Sequence, residues 1–120
     1  MGKVFDKALS EYIEFFDFHM EIARLPIEEM LERMAERDPS FMEHIETMEN
    51  PPKDALELWS GFGIWTVTSF RAKYHHFHKK LVDAFFHSDA TRQISEKYEL
   101  KETVESQLAL ILKVSGFDKE

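Results

Sequence analysis

Glycine and proline constrain this chain most, because most of them fall at the ends of segments with helical periodicity. The 120 residues contain only four glycines and four prolines. Proline cannot continue a helix past the preceding turn, so its positions indicate helix boundaries. The internal positions of the two residue types are Pro26, Pro39, Pro51, Pro52, Gly61, Gly63 and Gly116. They divide the chain into segments that we interpret as helices.

The first segment, residues 4–25, is predicted to form an amphipathic helix. Its apolar side chains recur every three or four residues and therefore share one arc of a helix. That arc holds Phe5, Ala8, Leu9, Tyr12, Ile13, Phe16, Met20 and Ala23. His19 lies on the same arc, and we expect it to be a buried core histidine bonded to a carboxylate or a carbonyl group.

Proline and capping residues predict four shorter helices. These helices cover residues 26–38, 39–48, 88–98 and 104–115. Pro26 and Pro39 suit the first position of a helix, because that position needs no backbone donor. Ser88 or Asp89 has the side chain of a helix cap.

Residues 54–87 form the most distinctive segment, and we predict one long helix there. Asp54 and Glu57 have the spacing of a capping box at its start. Apolar residues then recur in steps of three and four, which is typical of a helix-packing seam. This apolar seam consists of Leu56, Trp59, Gly63, Val67, Phe70, Tyr74, Phe77, Leu81 and Phe85. Gly61 and Gly63 each cost about 1 kcal/mol inside a helix, which would favour a bend or a break there. We nevertheless predict a continuous helix, because the apolar phase before Gly61 matches the phase after Phe70.

Together the segments predict an all-α fold: a helical bundle of five or six helices with one long central helix over about residues 54–87. A mass of 14.2 kDa and a hydrophobic content of 43% suit a single helical domain, residues 1–120. The absence of cysteine excludes disulfides and thiolate metal sites. The uncharged stretch of residues 58–70 is too short to cross a bilayer. We expect a cytoplasmic protein without a transmembrane segment or a cofactor.

Six histidines raise the question of a metal site. The sequence contains neither the His-Glu-x-x-His spacing of zinc proteases nor the Glu-x-x-His spacing of di-iron bundles. His76, Asp83 and His87 share one face of the predicted long helix, but the rise of a helix separates His76 from Asp83 by about 10 Å. We therefore expect no metal site and keep these three residues as the alternative. His75 and His78 are expected to be solvated.

Residues 71–80 carry four formal positive charges and three histidines, in a chain of net charge −8. Arg71, Lys73, Lys79 and Lys80 are therefore candidates for binding an anion, such as a phosphate or an acidic protein surface. We favour an internal explanation, in which acidic residues on the outer face of the first helix neutralise this segment. Those residues are Glu11, Glu14, Asp17 and Glu21.

Within this segment, Arg71-Ala-Lys-Tyr-His-His76 resembles the Arg-x4-His motif of the HEPN family of small, all-helical and commonly dimeric proteins. The resemblance implies that Arg71 and His76 act in metal-independent RNA cleavage at a dimer cleft. The string departs from the usual pattern at Ala72, where the family commonly has a polar residue.

Residues 92–104 resemble a helix-turn-helix of transcription regulators. Glu99 stands where the turn usually has glycine, and Glu102 and Glu105 lie on the segment that would enter the DNA groove. DNA phosphates repel glutamates at such positions, so we expect no DNA partner.

The excess of large apolar residues is the most informative feature for function. The chain has 11 Phe, two Trp and six Met, and the predicted long helix is apolar on more than one face. Such a helix needs neighbours on two sides, so we expect a homodimer or another protein partner. The sequence favours a non-enzymatic helical interaction or accessory protein that acts through the apolar seam. The alternatives are a HEPN-like ribonuclease acting on RNA and a bundle that binds a metal or a small anionic or apolar ligand.

Overall fold

The computed structural model describes residues 2–98 and folds them into six α-helices. The helices are α1 (Gly2–Ile22), α2 (Ile27–Arg37), α3 (Pro39–Thr47), α4 (Ala55–Lys73), α5 (His78–Phe86) and α6 (Asp89–Lys97). No strand occurs in residues 2–98, and the predicted all-α bundle is confirmed. The predicted helix over residues 104–115 lies outside the described residues. None of the described helices is long and apolar enough to cross a membrane.

The central helix of the bundle is α1. It packs against α5 and α6, and its rings also contact Phe62 and Phe70 of α4. The side chains of Tyr12, Phe15 and Phe16 are completely buried. Helices of the same chain therefore cover more than one side of α1, which reduces the need for a partner that its apolar character suggested.

The prediction of a single long helix over residues 54–87 is wrong in one respect, because the structure divides this segment into α4 and α5. The chain leaves helical geometry at Tyr74 and Phe77, whose φ,ψ angles are −116°, 33° and −139°, 18°. Between the helices, the Phe77 amide donates to the Tyr74 carbonyl over 3.0 Å. As predicted, the helix continues through Gly61 and Gly63, both of which lie inside α4.

Burial explains why the chain turns at residues 74–77, where it has neither glycine nor proline. The turn directs α5 back along α1, and Leu81, Val82 and Phe85 are buried there with at most 1% exposure. Burying each of these side chains contributes about 1.5–3 kcal/mol, which exceeds the cost of the lost helical hydrogen bonds. The turn also brings His78 into the core, 3.4 Å from the Tyr12 hydroxyl. This corrects the expectation that His78 is solvated.

The start of α4 follows the predicted capping chemistry. The Asp54 carboxylate accepts a hydrogen bond from the Glu57 amide at 2.8 Å. The Glu57 carboxylate in turn accepts from the Lys53 amide at 2.7 Å. These bonds satisfy donors that the first turn of a helix leaves free, and they fix where α4 begins.

Asp38 joins the α2–α3 junction to α4. Its carboxylate accepts hydrogen bonds from the Trp65 indole at 3.0 Å and from the Ser40 hydroxyl at 2.5 Å. Burial by itself would raise the pKa of Asp38, but the hydrogen bonds from Ser40, Trp65 and nearby backbone amides outweigh it and lower the pKa. The ionised carboxylate is therefore the form that holds α3 against α4.

Candidate interaction surface

The apolar seam packs inside the chain. Of its nine residues, Phe70 and Phe77 are partly buried and Leu56 is 70% exposed. The six that are buried are Trp59, Gly63, Val67, Tyr74, Leu81 and Phe85. Eight of the nine are thus wholly or partly covered by the chain itself. The role of the seam as a partner interface stays a prediction.

Aromatic contacts with α1 account for this burial. The Phe70 ring stacks on Tyr12 with 5.1 Å between centroids, and the Phe85 ring lies 5.4 Å from Phe16. Trp59 stacks on His19 at 4.1 Å, and its indole donates to the His19 carbonyl over 2.8 Å. Aromatic pairs at these distances add favourable contact energy to the burial of their surface.

His19 is a buried core histidine, as predicted, but the predicted hydrogen bond to a carboxylate or a carbonyl group is not found within residues 2–98. The residue is 0% exposed, and neither ring nitrogen has a hydrogen-bond partner within residues 2–98. Its ring lies among Phe15, Trp59 and Phe62. Burial lowers the pKa of His19 to about 3, so the ring is neutral at pH 7.

The outer face of α1 carries acidic residues that are ion-paired with other helices. The pairs are Glu11 with Lys73 (3.5 Å), Glu14 with Arg37, Asp17 with Lys97 (3.2 Å) and Glu21 with Arg33 (2.8 Å). Only Lys73 among these partners belongs to residues 71–80. The acidic face therefore neutralises one cation of that segment and otherwise binds α2 and α6.

We define the basic turn as Lys73, His75, His76, Lys79 and Lys80, all of which are exposed. His75 and His76 lie side by side, with 3.9 Å between ring centroids. Lys79 and Lys80 form no ion pair with any residue of the described range. Of the four predicted anion-binding residues, these two lysines are therefore the most accessible to an anion. Lys73 forms an ion pair with Glu11, and Arg71 is half-buried.

An apolar cleft of about 390 Å³ adjoins the basic turn. It is lined by Gly2, Lys3, Val4, Phe5 and Phe77, and we call it the N-terminal cleft. The rings of Phe5 and Phe77 lie 5.6 Å apart, and Val4 is 63% exposed at the rim. Sequence reasoning missed this cleft because its walls are far apart in the chain; the one available signal was an apolar pair, Val4 and Phe5, beside Lys3.

A second groove of about 390 Å³ lies between α1 and α6. Glu14 and Asp17 line it together with Lys97. Both carboxylates already have cationic partners, Arg37 and Lys97. This groove therefore offers less uncompensated charge to a ligand than the basic turn does.

The residues of the alternative metal site do not converge. His76 lies in the turn, Asp83 lies within α5, and His87 follows the end of α5. The His87 Nδ1 atom lies 2.7 Å from the Asp83 backbone carbonyl, not from its carboxylate. No group of three or more potential ligand residues in the described part of the chain could hold a metal ion.

The two residues of the HEPN-like motif lie on different elements. Arg71 is in the last turn of α4, whereas His76 is exposed in the turn after it. The motif therefore does not form a single helical face. Comparison with known proteins finds no match among protein-family models, curated proteins or solved structures.

Proposed function

We propose that this chain is a non-enzymatic helical interaction protein that binds an acidic protein partner through the basic turn. The observation that carries the proposal is the exposure of Lys79 and Lys80 without ion pairs in residues 2–98. By contrast, the acidic residues on the outer face of α1 already have cationic partners. A local positive patch attracts and orients an acidic surface, even on a protein whose net charge is −8.

This surface differs from the apolar seam that the sequence favoured, since burial leaves only Leu56 of the seam strongly exposed. The basic side chains project around one turn rather than along a continuous stripe. A nucleic-acid backbone favours a longer positive track than this turn provides. A short acidic protein segment fits the patch better.

The test is a binding titration with a fluorescein-labelled peptide of alternating Asp and Glu, followed by anisotropy. We expect binding that weakens as salt is added, because the contacts are exposed ion pairs. Lys79→Glu should weaken binding roughly fivefold. Lys53→Glu is the matched control, because it makes the same charge change on an exposed lysine before α4, and it should have little effect. Absence of binding, or equal losses in both variants, would contradict the proposal.

A labelled single-stranded RNA oligonucleotide tests the enzymatic alternative under the same conditions. The proposal predicts that the RNA stays intact. Cleavage that disappears in both Arg71→Ala and His76→Ala would instead support the HEPN-like ribonuclease.

The oligomeric state distinguishes the two kinds of partner expected from the sequence. The homodimer depended on an exposed seam, whereas the basic turn favours a partner of different sequence. Sedimentation velocity at micromolar concentration should therefore show a monomer. A stable dimer that persists in Lys79→Glu would favour the homodimer over the acidic partner.

A further inference from the structure

We infer that the acidic partner segment carries one large apolar side chain, which enters the N-terminal cleft while its neighbouring carboxylates contact the basic turn. This inference rests on the proposed function and adds the chemistry of the partner. It describes a short acidic segment with a single Phe, Leu or similar anchor.

The cleft adjoins the basic turn because Phe77, which lines the cleft, lies between His76 and Lys79 in the chain. The backbone of Phe77 is fixed on both sides: its amide donates to Tyr74 over 3.0 Å, and its carbonyl accepts from Leu81 over 2.9 Å. A segment whose apolar side chain contacts Phe77 therefore has its flanking residues within reach of the lysines.

The cleft has the size and lining of an apolar anchor site. Its volume of about 390 Å³ falls within the range of small binding pockets, about 300–1,000 Å³. Val4, Phe5 and Phe77 provide apolar contact surface, and Val4 is open to solvent on its outer side. An aromatic or aliphatic anchor bound in the cleft would be buried there, and it would also cover Val4, which is exposed in the free protein.

Charge around the cleft favours carboxylates on both sides of the anchor. Lys3 lines the cleft itself, and Lys79 and Lys80 lie beyond Phe77. The carboxylates nearest in sequence are Asp6 on α1 and Asp83 on α5, both exposed. Lys7, also exposed, lies next to Asp6 in sequence, so these sequence neighbours comprise four lysines and two carboxylates.

An acidic segment suits these features better than a lipid surface or a second copy of the chain. Interfacial membrane anchors present several large apolar side chains on a convex face, whereas this surface is concave and exposes one valine at its rim. Two copies of a chain with net charge −8 repel one another. A short segment avoids most of that repulsion.

The test compares two labelled peptides that differ at one position. Both carry six acidic residues, and the central residue is Phe in one and Ala in the other. We expect the Phe peptide to bind about tenfold more tightly, because it buries one additional ring. In Val4→Ser the two peptides should bind with nearly equal affinity. Leu56→Ser is the matched control, because Leu56 is 70% exposed but does not line the cleft, and it should keep the preference for Phe.

The outcomes separate this inference from the proposed function. Equal binding of the two peptides to the unmodified protein, with loss in Lys79→Glu, would overturn the anchor site and leave the basic turn as the partner surface. Failure of both peptides to bind would overturn both proposals. Vesicles of phosphatidylserine and phosphatidylcholine that displace the Phe peptide in a manner sensitive to Val4→Ser would assign the cleft to lipid instead. Circular dichroism of each variant checks that the helices are intact.

Discussion

The two faces of α1 are held by different kinds of interaction. On the inner face, the rings of Tyr12, Phe15 and Phe16 are fully buried against α4 and α5. On the outer face, acidic side chains that are 30–61% exposed form ion pairs with α2, α4 and α6. Exposed ion pairs each contribute little, about 0–1 kcal/mol, whereas a buried aromatic side chain contributes several times more. The inner face therefore supplies stability, and the outer face favours one arrangement of the surrounding helices.

The largest expected effect comes from removing a ring on the inner face. Phe16→Ala should lower the free energy of unfolding by about 3–5 kcal/mol, because it leaves a cavity among the rings of Tyr12, Phe15 and Phe85. Urea denaturation followed by circular dichroism measures this loss. Phe18→Ala is the control on the same helix, where the ring is only partly buried, and it should cost less. Equal losses at the two positions would contradict the assignment of stability to the inner face.

His19 makes the inner face sensitive to acid. Its pKa is about 3 in the folded chain, against an ordinary value near 6.5, so the unfolded chain binds the proton more strongly. Protonation of His19 therefore has little effect on the free energy of unfolding above about pH 6.5. As the pH falls from about 6.5 towards 3, the difference in proton binding lowers the free energy of unfolding. At pH 5 the expected loss is roughly 2 kcal/mol relative to pH 7.

The measurement is urea denaturation at pH 7 and pH 5 of the unmodified protein and of His19→Phe. The variant should lack this part of the pH dependence, and it should be at least as stable at pH 5 as the unmodified protein. A pH dependence that is identical in the two proteins would show that His19 is not buried as a neutral ring.

The smallest effect is expected on the outer face. Glu14→Gln removes the charge that pairs with Arg37 and should cost roughly 0.5 kcal/mol or less, because the Glu14 side chain is 61% exposed. A hydrogen bond from Arg37 lowers the pKa of Glu14, so this contribution disappears as the pH falls through the acidic range. Salt should also reduce it.

Glu28→Gln is the matched control for Glu14→Gln, since Glu28 is exposed and forms no ion pair among residues 2–98. Chemical denaturation with and without added sodium chloride would reveal the difference. If Glu14→Gln lowered the free energy of unfolding by several kcal/mol, the outer face of α1 would contribute as much stability as the inner face, which would contradict the comparison.

Local signals predicted much of the fold. The periodicity of α1 and the cap at Asp54 depend on residues within a few positions of each other, so the sequence displays them directly. Gly61 lies inside α4, and a Cβ there would meet nothing within 4 Å, so no close packing at this position requires a glycine. The true break at residues 74–77 follows from burial of α5 against α1, a long-range effect that no nearby residue marks.

The candidate site was harder to predict for the same reason. The basic residues were visible as a charge cluster, but the N-terminal cleft requires Phe5 and Phe77, which only the turn brings together. The apolar seam was predicted from its periodicity as an interface for a partner. A helix face shows that neighbours are needed, but it cannot show whether they belong to the same chain, and here they largely do.

The central position of α1 has a consequence for synthesis on the ribosome. This helix emerges before the segments that cover it, and its ring contacts extend to Trp59, Phe70 and Phe85. Until those residues are translated, Tyr12, Phe15 and Phe16 have no long-range cover. The nascent polypeptide therefore passes through a stage in which these rings are exposed, and exposed apolar surface of this kind favours aggregation.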